Sequence, residues 1–104
     1  MKEITYNDFL SLTEKWNEET RIISNPSVIY ANQNYLDIIS IGTKAIPWIL
    51  KDWETSDRHW FDALYKITGE NPIQSINSGN IIKMKEDWIL WAINNKYIKL
   101  TIIE

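Results

Sequence analysis

Apolar residues recur at spacings of three and four along most of this chain, and that rhythm constrains its fold more than any other feature. Ile46, Ile49, Leu50 and Trp53 stand at i, i+3, i+4 and i+7, the pattern that gathers side chains on one face of a helix. Trp60, Ala63, Leu64 and Ile67 repeat it, with Phe61 and Tyr65 adding a second apolar stripe. Phe9, Leu12, Thr13, Trp16, Thr20 and Ile23 carry the same spacing earlier. Ile81, Met84, Trp88 and Ala92 carry it later, flanked by Ile89 and Trp91. A chain so patterned buries its stripes by packing helix on helix.

Punctuation divides the rhythm into elements. Thr5, followed three residues later by Asp8, is close to a capping box and opens a helix over about 6–22. Asn25-Pro26 opens a short helical piece over 26–32. The next helix carries Tyr35, Leu36, Ile38 and Ile39 and closes at Gly42. A helix over about 44–55 follows Thr43, with Pro47 in its first turn, where a missing N–H matters little. Another runs from about Asp57 to Gly69. Residues 69–80 are dense in turn formers and read as a loop, after which Ser78 or Asn80 caps a last helix ending at Asn94-Asn95. The tail Ile98-Lys99-Leu100-Thr101-Ile102 alternates apolar and polar residues, as an extended arm does. The expected fold is all-α: five to six helices as stacked helical hairpins, in one domain over 1–104, with a short extended C-terminal arm. Tyr35-Leu36-Asp37-Ile38-Ile39 resembles Trp60-Phe61-Asp62-Ala63-Leu64, each block followed by a glycine and then a proline. Duplication of a hairpin explains this, and chance similarity at such length competes with it.

Composition narrows the function classes. No cysteine is present, so disulfides and thiolate metal sites are excluded. The net charge of -3 gives no general attraction to phosphate backbones. Lys83, Lys85, Lys96 and Lys99 cluster loosely, but Glu86 and Asp87 interrupt them, so a solvated face is expected rather than a nucleic-acid site. The apolar runs are too short for a membrane span, and the N-terminus lacks the apolar stretch of a signal peptide. A cytoplasmic location is the expectation.

The stretch His59-Trp60-Phe61, Ala63-Leu64 and Ile67-Thr68-Gly69-Glu70-Asn71-Pro72 is distinctive. With Gly42, Ala45-Ile46-Pro47, Trp88, Trp91 and Tyr97, it resembles a group of small uncharacterised bacterial proteins that look like short HEAT-type helical proteins. The resemblance spans roughly residues 16–97. The chain departs from it at Arg58, where an acidic residue is usual, and at Asp62, where an aromatic is usual. The resemblance implies helical hairpins in a compact array, and no reaction.

Candidate chemistry is sparse. His59 is the sole histidine, and a helix from Asp57 places it one turn from Asp62. Paired with Asp57 or Asp62 it can serve as an acid or base, because imidazole titrates near neutral pH. No nucleophile stands at a recognisable spacing, and the dull reading is a histidine bonded to a neighbouring loop. His59, Asp57 and Asp62 offer three metal ligands without any known ligand spacing, so no metal and no cofactor is expected. The three glycines stand at helix boundaries and make no phosphate-binding loop.

Six tryptophans are the remaining anomaly. Trp16, Trp53, Trp60 and Trp88 fall on core stripes. Trp48 projects opposite the Ile46/Leu50/Trp53 stripe, where it either packs on a neighbouring hairpin or anchors a partner. Leu90 lies on the polar side of the last helix. The sequence therefore points to a non-enzymatic protein-interaction module, such as a small inhibitor or immunity/antitoxin-type factor acting on another protein. Trp48, His59 and Leu90 are its candidate contact residues. The alternative is a small enzyme using His59 with Asp57 or Asp62, and a third possibility is self-association through the C-terminal arm.

Overall fold

A computed structural model describes residues 3–98. The fold is all-α, with six α-helices, two short 3₁₀ turns and no strand among the described residues. They are α1 (Tyr6–Thr20), α2 (Pro26–Ile29), α3 (Gln33–Ile41), α4 (Ile46–Asp52), α5 (Phe61–Thr68) and α6 (Ile81–Asn94). None is long and apolar enough to cross a membrane. The expected C-terminal arm falls almost wholly on residues 99–104, outside those described. The chain divides into two compact units, Met1–Thr68 and Gly69–Glu104.

In the first unit, side-chain caps set most of the helix starts. The Thr5 Oγ1 accepts from the Asp8 N–H at 3.3 Å, and the Asp8 carboxylate accepts from the Thr5 N–H at 2.8 Å, completing a capping box on α1. Asn25 caps α2 and Asn32 caps α3, each through its Oδ1 at 3.0 Å from an N–H two residues on. Two caps so close together leave room for one helical turn between them. That is why α2 stops at Ile29 instead of continuing to 32. At Gly42 the backbone takes φ 81°, which ends α3 at no steric cost.

The helix expected over 44–55 is shorter and begins as a 3₁₀ turn, Gly42–Ala45. Pro47 has no N–H to close an α-helical bond, and the Ile46 N–H bonds the Thr43 carbonyl three residues back. The helix expected from Asp57 starts only at Phe61. His59 and Trp60 therefore precede α5, and the one-turn relation of His59 to Asp62 does not exist.

Trp60 is the centre of the first unit's core, with no exposed surface. It stacks on Phe9 at 5.7 Å and on Tyr35 at 6.5 Å, and meets Trp16 at 5.2 Å. Trp16 meets Tyr35 at 4.7 Å, so α1, α3 and the lead into α5 share one aromatic cluster. Such ring pairs add roughly 0.5–1.5 kcal/mol each beyond their burial.

In the second unit the Asp87 carboxylate ties the loop to α6. Its Oδ2 accepts from the Gln74 N–H at 3.0 Å and from Asn77 Nδ2 at 2.9 Å. Of the two candidate caps, Asn80 is the one used, with its Oδ1 accepting from the Lys83 N–H at 3.1 Å. The C-terminus of α6 closes in a Schellman motif: the Tyr97 N–H reaches the Ala92 carbonyl and the Lys96 N–H the Ile93 carbonyl. Lys96, at φ 64°, takes the left-handed place usually held by glycine. Tyr97 then stacks on Trp91 at 5.4 Å, the apolar contact that accompanies this motif.

Candidate binding cavity around His59

The segment that carries His59 is shaped by a residue the sequence reading passed over. Asp52 ends α4 with its side chain only 11% exposed and four donor contacts converging on it. Arg58 Nη1 reaches Oδ1 at 2.8 Å and Oδ2 at 3.1 Å. Oδ2 also accepts from Ser56 Oγ at 2.7 Å and from the indole Nε1 of Trp60 at 2.8 Å. One carboxylate thus folds residues 52–60 into a tight bend and prevents α5 from starting sooner. Trp53 reinforces it, donating its Nε1–H to the Arg58 carbonyl at 2.7 Å. Within the bend, the Trp60 N–H bonds the Arg58 carbonyl at 3.0 Å, a three-residue turn that leaves His59 at its exposed tip.

On the opposite side, α2 is held to α1. The Trp16 indole N–H donates to the Ile29 carbonyl at 2.9 Å, and Asn32 Nδ2 donates to Glu19 Oε1 at 3.0 Å. Between α1, α2 and the Asp52 bend lies a cavity of about 340 Å³. Trp16, Pro26, Ile29 and Tyr30 form its apolar walls. Asn17, Thr20, Arg58 and His59 supply its polar side, and no acidic side chain lines it. The Thr20 hydroxyl is already engaged as a donor to the Trp16 carbonyl at 2.7 Å. Arg58 is bound through Nη1 alone. Its Nε is buried without an acceptor, and Nη2 has none among the described residues.

Asp62 serves a neighbouring cluster instead of His59. Its Oδ2 accepts the Tyr35 hydroxyl at 2.6 Å and pairs with Lys66 Nζ at 3.2 Å. Burial first, and then the hydrogen bond to Asp62, push the Tyr35 phenol far above its ordinary range. Tyr30 is raised too, by burial and then by the charge of Asp62. Tyr30, Asp62 and Lys66 also line a second, more open hollow, together with Pro26 and Leu36.

The three predicted contact residues fare differently. Trp48 is half-buried, with its ring 6.0 Å from Tyr6 and 5.8 Å from Phe9 and with Lys44 Nζ over its face at 5.8 Å. It packs α4 against α1. His59 is exposed, meets Phe61 edge-on at 6.2 Å and lines the cavity. In the second unit, Leu90 stands 55% exposed on α6. Asp57 is exposed in the bend. Among the described residues, no group of three His, Asp or Glu side chains is placed to hold a metal ion.

Comparison with known proteins adds no relative: no family model, no curated protein and no solved structure matches the chain.

Proposed function

We propose that this chain is a non-enzymatic protein-interaction module, HEAT-like in character and cytoplasmic, acting on another protein as a small inhibitor or immunity/antitoxin-type factor. The observation that carries the reading is a group of exposed apolar side chains on α6. Trp88 and Ala92 are buried on one side of this helix, yet Ile82 is 70% exposed and Ile89 and Leu90 are exposed beside it. Ile82 and Ile89 stand seven residues apart and so share a face, which Leu90 borders. Glu86 and Lys83, paired at 3.6 Å, stand among these side chains, so the surface mixes exposed apolar groups with one ion pair, as an interface rim and its margin do. The occupant that fits it is an apolar patch on another protein.

The test is capture from lysate of the source organism, comparing wild type with an Ile82→Glu/Leu90→Glu double variant. The expected result is one stoichiometric protein held by wild type and lost by the variant, with the unfolding midpoint unchanged. A protein retained equally by both would sink this surface. A dimer mass in light scattering that the variant abolishes would transfer the face to self-association.

The acid–base alternative has one observation in its favour: His59 lines a cavity. Its Asp62 partner is held by Tyr35 and Lys66. Proton NMR titration of the sole histidine tests it, and a strongly displaced midpoint would revive catalysis.

A further inference from the structure

We infer that the cavity between α1, α2 and the Asp52 bend is a binding site for a small organic acid, a free carboxylate on an apolar or aromatic body. This goes beyond the interaction reading, and it rests on residues 16–59 alone. The volume of about 340 Å³ stands at the lower end of small-molecule pockets. Such pockets combine apolar walls with a few polar groups that fix orientation. Trp16, Ile29 and Tyr30 supply the walls here, and Arg58, Asn17 and His59 supply the polar groups.

The chemistry of the ligand follows from Arg58. Nη1 is committed to Asp52, which holds the guanidinium plane in place. What remains for a ligand is Nη2, which has no acceptor among the described residues, whereas Nε is closed off even from a water-sized atom. A carboxylate oxygen on Nη2 makes a charge-assisted hydrogen bond, and the Asn17 amide and the His59 ring line the same cavity as donors for its second oxygen.

Charge selects among anions. No acidic residue lines the cavity, so a negative ligand meets no direct repulsion there. Asp52, however, lies behind Arg58 at 2.8 Å and offsets most of its field. A site so balanced suits a monoanion better than a doubly charged phosphate. The apolar walls, in turn, require that the anion carry a hydrophobic body.

The experiment uses the full chain labelled with ¹⁵N and benzoate as the probe, reading the imidazole of His59 and the indole N–H of Trp16. Benzamide and inorganic phosphate are titrated in parallel. Benzoate is expected to shift both signals saturably, with benzamide, which loses the charge-assisted contact, and inorganic phosphate, which brings no apolar body to the walls, each at least about tenfold weaker. Arg58→Gln should abolish binding. Because that change strands Asp52 and can unfold the bend, Asn17→Phe provides a second variant that fills the cavity mouth and leaves the ion pair intact. Loss of benzoate binding in Asn17→Phe supports the site. Non-saturating shifts, equal binding of benzamide or phosphate, or unchanged benzoate binding in Asn17→Phe would each overturn it. A short peptide ending in phenylalanine that binds about tenfold tighter than benzoate would also overturn the free-acid assignment, in favour of a protein terminus.

Discussion

Replacing Asp52 by alanine removes the acceptor on which the bend at residues 52–60 is built. Its largest effect falls on Trp60, whose ring is fully buried and whose Nε1–H donates to this carboxylate at 2.8 Å. Stranding a buried donor costs about 1–3 kcal/mol. The Arg58 pair contributes less, because the guanidinium side chain is 28% exposed and solvent screens it, so about 0.5–1 kcal/mol is reasonable there. Ser56 is partly buried and can turn to water, adding roughly 0.5 kcal/mol at most. Together these give a loss of about 2–4 kcal/mol for Asp52→Ala, a large fraction of the stability of a domain this size. Urea unfolding followed by tryptophan fluorescence measures it directly. The attribution to Trp60 is checked by a double-mutant cycle: in a Trp60→Phe background, where no indole N–H exists, Asp52→Ala should lose about 1.5 kcal/mol or less. A single-variant loss under about 0.5 kcal/mol, or an equal loss in both backgrounds, would refute the reasoning.

Three further outcomes are expected. Tyr35 has its pKa raised above the ordinary 10.0, so its contribution is fully present below pH 10 and is lost as pH rises above it. The wild-type unfolding free energy should therefore fall above pH 10 by up to about 1.4 kcal/mol per pH unit more steeply than that of Tyr35→Phe; parallel slopes would show that the phenol is not held neutral. Lys96→Gly should raise stability by about 1 kcal/mol, because only the left-handed backbone at φ 64° changes its strain; a neutral or negative shift in the urea midpoint would place the lysine side chain in a contact of its own. Trp48→Ala should lower stability by about 2 kcal/mol through its contacts with Tyr6 and Phe9, less than the loss of a fully buried ring. An unchanged urea midpoint would return Trp48 to the role of a free anchor.

The helical class and the core stripes were legible because they depend on local periodicity, and Phe9, Trp16, Ile46, Ile49, Leu50, Trp60, Leu64 and Trp88 are all buried as the spacing predicts. The Thr5/Asp8 box was legible for the same reason, since both partners lie within one turn. The start of α5 was not. The apolar spacing of Trp60, Ala63 and Leu64 continues into the helix without a break, so nothing in the periodicity marks Trp60 as lying before it. The bend depends on the Asp52 carboxylate capturing an indole eight residues further on, and no helical or strand spacing marks that pairing. The one available signal was Ser56 and Arg58 standing four and six residues after Asp52, donors following closely on an acid. The Tyr35–Asp62 bond joins residues on different helices, and no local pattern announces it. The cavity has the same origin. Asn17, Tyr30 and His59 are far apart in the chain and become neighbours only when α2 is pinned to Trp16.

The bend has a kinetic consequence. All its partners lie between residues 52 and 60, so closing it orders a very short loop and gives up little chain entropy. A contact of that range forms in well under a microsecond, long before α1 and α3 can find each other. Trp60 is then presented, already oriented, as the surface on which Phe9, Trp16 and Tyr35 condense. A variant that weakens the bend, such as Ser56→Ala, is therefore expected to slow folding more than it speeds unfolding, which the two arms of a urea chevron measure.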